Sequence, residues 1–78
     1  MLNLQRVTMF IAVVDAGSFT AAAAALGQTK AVVSFNVRQL ESELGVTLLL
    51  RSTRRLTLTE AGAVFYQRGV GLWKAAEN

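Results

Sequence analysis

One short stretch, LGQT at residues 26–29, constrains the fold of this 78-residue chain more than any other. It separates two apolar runs by the length of a single tight turn. Gly27 is suited to the left-handed conformation that ends a helix, and Thr29 is suited to cap the start of the next one. The sequence therefore predicts a short alanine-rich helix over residues 19–26 and a longer helix over residues 29–44. Two helices joined by a short glycine-containing turn form a helix-turn-helix.

The longer predicted helix has one apolar side and one largely polar side. Its apolar residues fall on a narrow stripe, which is expected to face the core. These residues are Val33, Val37, Leu40 and Leu44. The opposite side carries Ala31, Ser34, Phe35, Arg38 and Ser42, and Lys30 lies between the two sides in the first turn. Acidic residues, which would repel phosphate, are absent from the first turns of this helix.

The remaining segments predict two more helices and a hairpin. Helical spacing over residues 4–14, followed by a glycine, predicts a first helix. The pattern of residues 46–58 predicts a short β-hairpin, or wing, with a basic tip. Thr59 is suited to cap a last helix that continues toward the C-terminus. The predicted fold is thus mainly α, with a winged helix-turn-helix domain over residues 1–58 and a linker helix over residues 59–78.

Composition narrows the class of function. The chain has neither cysteine nor histidine, which excludes disulfides and removes the commonest general base and metal ligand. None of its five carboxylates pairs with a histidine, a cysteine or a glycine-rich phosphate loop, so we predict neither an enzyme nor a bound cofactor. The formal charge of +3 and the pI near 10.2 favour a polyanionic partner.

A membrane location is not predicted either. The longest uncharged stretch, residues 16–29, is too short and too polar to span a bilayer. The N-terminus lacks the basic segment and apolar core of a signal peptide. We therefore expect a cytoplasmic protein.

These features predict that helix 29–44 enters the major groove of duplex DNA, where the N-terminal residues of such a helix reach base edges. Lys30 can donate to guanine or to a phosphate, and Ser34 can donate or accept. Arg38 lies one turn further on, toward the DNA backbone. Phe35 is expected either to contact a thymine methyl group or to pack on the protein's own surface.

Further phosphate contacts are expected from the helix N-termini and from the wing. The N-termini at Ser18 and Thr29 present free backbone N–H groups, which bind phosphate, and Thr20 lies in the first turn of its helix. Arginine at a hairpin tip is suited to phosphates or to a narrow minor groove. The arginines of the wing are Arg51, Arg54 and Arg55. The first of these could brace the wing instead.

Two stretches resemble the N-terminal DNA-binding domain of LysR-type transcriptional regulators. They are FIAVVDAGSFTAAAAALGQTKAVVSFNVRQLESELGVTLLLR at residues 10–51 and RRLTLTEAG at residues 54–62. The resemblance implies a winged helix-turn-helix and a long linker helix that pairs with its twin, in a dimer that binds an interrupted inverted repeat. It also implies that a small-molecule effector binds a C-terminal domain missing from this chain, which we expect to be a fragment truncated inside its linker helix.

The resemblance also implies which residues contact DNA. Where the family usually has Ser-Gln-Pro-Ala, this chain has Thr29-Lys30-Ala31-Val32. Thr29 keeps the helix cap, and Ala31, in place of proline, keeps an apolar contact. Lys30 replaces a glutamine that contacts bases in the family. Ser34, Arg38 and, in the wing, Arg54 match the family pattern. Phe35 stands where many members have arginine, so a base or phosphate contact of the family is lost there.

The last helix carries the predicted dimer face. Tyr66, Val70 and Trp73 share one side at helical spacing, and one small domain is not expected to cover so broad an apolar arc. We therefore expect a homodimer, although the same residues could be plain core. The alternative to DNA binding is a winged-helix interaction module that binds an acidic protein. DNA binding predicts a base preference and a steep salt dependence, whereas the module predicts no base preference.

Overall fold

The computed structural model describes residues 3–51 and 56–77, with side chains as far as residue 71. Helices and a hairpin follow one another in the order α1, α2, α3, β1, β2, α4. The bounds are Leu4–Ala16, Phe19–Leu26, Lys30–Leu44, Leu49–Arg51, Leu56–Leu58 and Glu60–Glu77, respectively. This order confirms the predicted winged helix-turn-helix followed by a helix.

Side-chain caps and glycines set the helix ends. Ser18 Oγ accepts a hydrogen bond from a first-turn amide of α2 at 3.0 Å, and Thr29 Oγ1 does the same for α3 at 3.1 Å. Gly27 has a φ of 67°, a left-handed conformation that would strain a side chain, and this lets the chain reverse between α2 and α3. The first helix ends at Ala16, and Gly17 after it adopts the left-handed conformation expected of a glycine that ends a helix.

The two wing strands pair antiparallel, with Leu49 opposite Leu58. Among the described residues of the predicted hairpin at 46–58, pairing begins at Leu49 rather than at residue 46, because the backbone before β1 has other partners. The amide of Leu48 donates to Glu41 Oε2 at 2.7 Å, and its carbonyl accepts from the amide that precedes α4 at 3.0 Å. These bonds anchor the base of the wing to α3 and α4.

The last helix depends on glycine for its close packing. Thr59 caps it, since its Oγ1 accepts from Gly62 N at 2.9 Å. A Cβ at Gly62 would overlap the carbonyl oxygen of Leu48, and a Cβ at Gly69 would lie 3.3 Å from Ile11 Cδ1. Glycine weakens an isolated helix by about 1 kcal/mol per residue. At these two positions it lets α4 approach the base of the wing and α1.

The hydrophobic core lies where α1 meets α2, α3, the wing and α4. Phe10 is fully buried, and its ring meets Phe65 of α4 edge to face at a centroid distance of 5.7 Å. No helix in the described residues is both long enough and apolar enough to cross a membrane. Around the core, α3 packs against α1 and α2, and one side of α3 is left uncovered.

Candidate nucleic-acid interface

The third helix turns one side to the core and the opposite side to solvent. The predicted core stripe is fully buried at Val33, Val37 and Leu40. On the opposite side Phe35 is 58% exposed. The other predicted contact residues exposed on this helix are Lys30, Ala31 and Arg38. Ala31, Phe35 and Arg38 thus share the uncovered side of α3, and Lys30 is exposed in its first turn, between this side and the core stripe.

Ser34 differs from these residues because it is half-buried and has a partner. Arg51 of β1 donates from Nη1 to Ser34 Oγ at 3.0 Å. The guanidinium carbon of Arg51 also lies 4.6 Å from the centroid of the Phe19 ring in α2, which is a cation–π contact. These contacts favour the bracing role that the sequence left open for Arg51. The Ser34 hydroxyl accepts in this bond, so its own O–H remains able to donate to DNA.

Glu41 organises the base of the wing, a role that the sequence analysis missed. Its Oε2 accepts from Leu48 N at 2.7 Å and from Leu49 N at 3.2 Å. Its Oε1 lies 3.7 Å from Arg51 Nη2. An acidic side chain that accepts backbone amides forms the stronger, charge-assisted class of hydrogen bond. Helical periodicity alone gives no sign of these bonds, because the amides come from a segment that only the tertiary fold brings near.

Two arginines reinforce the positive potential beside α3. Burial lowers the pKa of the Arg51 guanidinium from its ordinary value of 12.5, and the nearby charge of Arg38 lowers it further. The carboxylate of Glu41 acts in the opposite direction and raises it. A guanidinium stays protonated at neutral pH in spite of such shifts. Arg51 therefore keeps its positive charge where it braces the wing, next to the exposed side chain of Arg38.

The N-termini of α2 and α3 carry the other predicted phosphate contacts. Ser18 and Thr29 use their side-chain oxygens as caps, and Thr20 is exposed in the first turn of α2. First-turn backbone N–H groups other than the capped ones have no carbonyl partner within their helix, so they can bind an anion. Arg54 and Arg55 lie outside the described residues, and their contacts remain predictions from the sequence.

Two of the three predicted dimer residues, Tyr66 and Val70, lie on the side of α4 that meets α1. Tyr66 is half-buried, and its hydroxyl donates to Asp15 Oδ1. This hydrogen bond is the main cause that raises the pKa of Tyr66, with burial and the charge of Asp15 as smaller causes. Val70 and Ile11 line an apolar groove of about 440 Å³ between the two helices. The side chain of Trp73 lies beyond the described side chains.

A family comparison agrees with this arrangement. The family described as bacterial regulatory helix-turn-helix protein, lysR family, matches residues 4–63. The chain belongs to the lysR family. This lysR-family chain is 49% identical over 65 residues to the HTH-type transcriptional regulator PtxR of Pseudomonas aeruginosa, an alignment that covers 83% of the chain and 21% of PtxR. It thus spans about a fifth of the length of this curated relative.

Solved structures with the same fold include complexes with DNA. The lysR-family chain superposes with a TM-score of 0.93 on the DNA-binding domain of BenM in its complex with catB site 1 DNA, at 36% identity. The alignment covers 97% of this chain and 82% of that one. For the DNA-binding domain of CbnR in complex with DNA, the TM-score is 0.92 at 34% identity. This alignment covers 97% of this chain and 87% of the CbnR domain.

Proposed function

We propose that this chain binds duplex DNA with sequence preference, as the DNA-binding domain of a LysR-type transcriptional regulator. The observation that carries the proposal is the uncovered side of α3, where Phe35 and Arg38 are exposed, with Lys30 exposed beside them in the first turn. No acidic residue precedes Glu41 in this helix. In a helix-turn-helix, this side of the second helix lies in the major groove. Its side chains would there meet both base edges and phosphates.

The similar DNA complexes support this role. In the BenM and CbnR complexes, domains of this fold bind DNA, and both cover nearly all of this chain at more than 30% identity. The transcriptional regulators among its relatives support a regulatory rather than a catalytic function. Such a function would be performed in the bacterial cytoplasm. A small-molecule effector would bind outside the matched fifth of these relatives.

The wing would add sequence-independent contacts. Arg54 and Arg55, by their place between the two strands, would contact phosphates or the minor groove that flanks the α3 site. Arg51 would act indirectly, by holding the wing against α2 and α3. Amides and hydroxyls at Ser18, Thr20 and Thr29 would contact the phosphates of the groove wall.

We also propose that two copies associate through α4. The apolar groove between α1 and α4 includes Tyr66 and Val70, and it is open beside the helix that would pair with its twin. Trp73 follows Val70 at helical spacing and would extend the same contact. Dimerisation would set two copies of α3 against two half-sites of an inverted repeat on one face of the duplex.

Selection of bound duplexes from a random library, near physiological salt, tests the proposal. We expect an inverted repeat to be enriched, with a half-site spacing that reports the dimer geometry. Enrichment of one half-site would support DNA recognition and contradict the dimer. If a folded sample enriches no sequence, DNA recognition is wrong. Binding to an acidic protein without base preference would then favour an interaction module.

A further inference from the structure

The most exposed large hydrophobic side chain in the described part of the chain is Phe35, which is 58% exposed. It lies near the middle of the uncovered side of α3. At about 100° per residue, its Cβ points roughly opposite to that of Val37, which is fully buried. An aromatic ring that costs free energy in water thus stands where the helix would face base edges.

The surroundings of Phe35 are unusually apolar for such a helix. Ala31 lies one turn earlier on the same side, and Val32 is 39% exposed on the adjacent side. Two nearby polar side chains have partners within the protein. Ser34 accepts from the wing, and Asn36 Nδ2 donates to the carbonyl of Val32 at 2.8 Å. The centre of the uncovered side is therefore apolar, and its cationic groups lie toward the edges.

Only one base presents an apolar group to a ligand in the major groove. Guanine, cytosine and adenine expose hydrogen-bond donors or acceptors there, whereas thymine adds a C5-methyl group. A phenylalanine ring has no donor or acceptor of the conventional kind, so it gains nothing from the polar edges. Contact between the ring and a methyl group would remove apolar surface of both from water.

We infer that Phe35 selects thymine at one or two positions of each half-site by contacting the C5-methyl group, with Ala31 extending the apolar contact. The inference rests on the proposed function, since it assumes that α3 lies in the major groove. The inference requires a C5-methyl group on the contacted base, which DNA binding alone does not require. Loss of a methyl group, with every hydrogen bond of the base pair kept, should weaken binding.

Deoxyuridine provides the test, because it differs from thymidine only in lacking this methyl group. The probe is the most enriched duplex from the random-library selection, labelled and synthesised with deoxyuridine at one thymine at a time. Affinity is measured by fluorescence anisotropy for the wild type and for Phe35→Ala. We expect the wild type to bind about fourfold more weakly for each contacted methyl group that is removed. This ratio corresponds to the free energy of burying about one CH₂ group. Phe35→Ala should lose most of this difference between the two duplexes, since only the smaller contact of Ala31 remains.

The matched control is Val64→Ala, which removes another exposed apolar side chain, from α4 rather than α3. It should keep the deoxyuridine sensitivity of the wild type. Circular dichroism and thermal unfolding establish that each variant is folded.

Three results would overturn the inference. Equal binding of thymidine and deoxyuridine duplexes by the wild type would exclude methyl recognition. Equal sensitivity in the wild type and in Phe35→Ala would assign the methyl contact to another residue. Both results leave DNA binding intact. If no sequence is enriched at all, the proposed function fails and the inference fails with it.

Discussion

Arg51 Nη1 in the first wing strand donates a hydrogen bond to Ser34 Oγ in α3 at 3.0 Å. The same guanidinium lies over the ring of Phe19 in α2 and 3.7 Å from Glu41 Oε1. One side chain therefore connects the wing with both helices of the helix-turn-helix. If α3 and the wing contact one DNA duplex, this connection fixes their relative position before binding, which lowers the ordering cost of association.

Replacing Arg51 by methionine should lower the free energy of unfolding. The variant keeps an apolar stem but loses the hydrogen bond to Ser34, the attraction to Glu41 and the cation–π contact with Phe19. We expect a loss of about 1–3 kcal/mol in denaturant unfolding. The control Arg38→Met changes an exposed arginine of the same surface and should alter stability by less than about 0.5 kcal/mol. Equal stability of both variants would contradict the bracing role.

The carboxylate of Glu41 should matter more for stability than that of its neighbour Glu43. Glu41→Gln removes the charge from an oxygen that accepts two backbone amides of the wing base, and we expect a loss of about 1–2 kcal/mol. Glu43→Gln affects a surface ion pair with Arg6, for which about 0–1 kcal/mol is typical. Thermal unfolding of the two variants gives the comparison. A larger effect at Glu43 would show that the wing base does not depend on this carboxylate.

Two glycines of α4 should respond in opposite ways to alanine. At Gly62 a Cβ would overlap the Leu48 carbonyl oxygen, and a backbone group cannot move aside cheaply, so we expect Gly62→Ala to destabilise by at least about 1–3 kcal/mol. At Gly71 a Cβ would meet nothing within 4 Å. Gly71→Ala should therefore stabilise by about 0.5–1 kcal/mol through helix propensity. Chemical denaturation measures both changes, and changes of the same sign would refute the packing argument.

Tyr66 is the only tyrosine of the chain, so the ultraviolet absorption of tyrosinate reports its pKa directly. We expect a value above the ordinary 10.0, because ionisation breaks its bond to Asp15 and creates a like-charge pair. The Asp15→Asn variant should bring the pKa back toward 10.0. An unchanged value in that variant would mean that the bond to Asp15 is not the cause of the shift.

The same shift predicts how stability depends on pH. A pKa raised by folding stabilises the protein fully below about pH 10, the pKa of tyrosine in the unfolded chain, and the contribution is lost as the pH rises through the higher folded value. Because solvent screens this exposed hydrogen bond, its contribution to the free energy of unfolding is about 0.5 kcal/mol. Tyr66→Phe should therefore be less stable than the wild type at neutral pH, and the difference should vanish in strong base.

Lys30 and Arg38 should contribute differently to DNA binding. Lys30 lies in the first turn of α3, near the base edges in the proposed complex, and Lys30→Ala should change the preference at one base pair per half-site by about 1–3 kcal/mol. Arg38 lies further along, toward the backbone, so Arg38→Ala should weaken binding to all sequences and reduce the salt slope by about 1. Binding titrations of both variants, with several duplex sequences and at several salt concentrations, distinguish base contact from phosphate contact. An unaltered base preference in Lys30→Ala would limit Lys30 to phosphate contact.

Much of the architecture could be predicted because its causes lie within a turn or two of chain. Thr29 caps the helix that it begins, and Gly27 adopts the left-handed conformation that its place after an apolar run indicated. The stripe that includes Val33 and Val37 is buried as its period predicted. The start of the wing was less predictable, since residues 46–48 have a strand-like pattern but their backbone binds elsewhere.

The sequence by itself determined the order of the elements, the helix caps and the identity of the uncovered side of α3. Local propensity and periodicity depend on neighbouring residues, and the chain alone supplies these. Tertiary structure decided that Arg51 braces α2 and α3, that Glu41 accepts the amides of the wing base, and that Gly62 has no room for a side chain. Each of these features joins groups that are distant along the chain, and they meet only when burial of the common core brings their elements together.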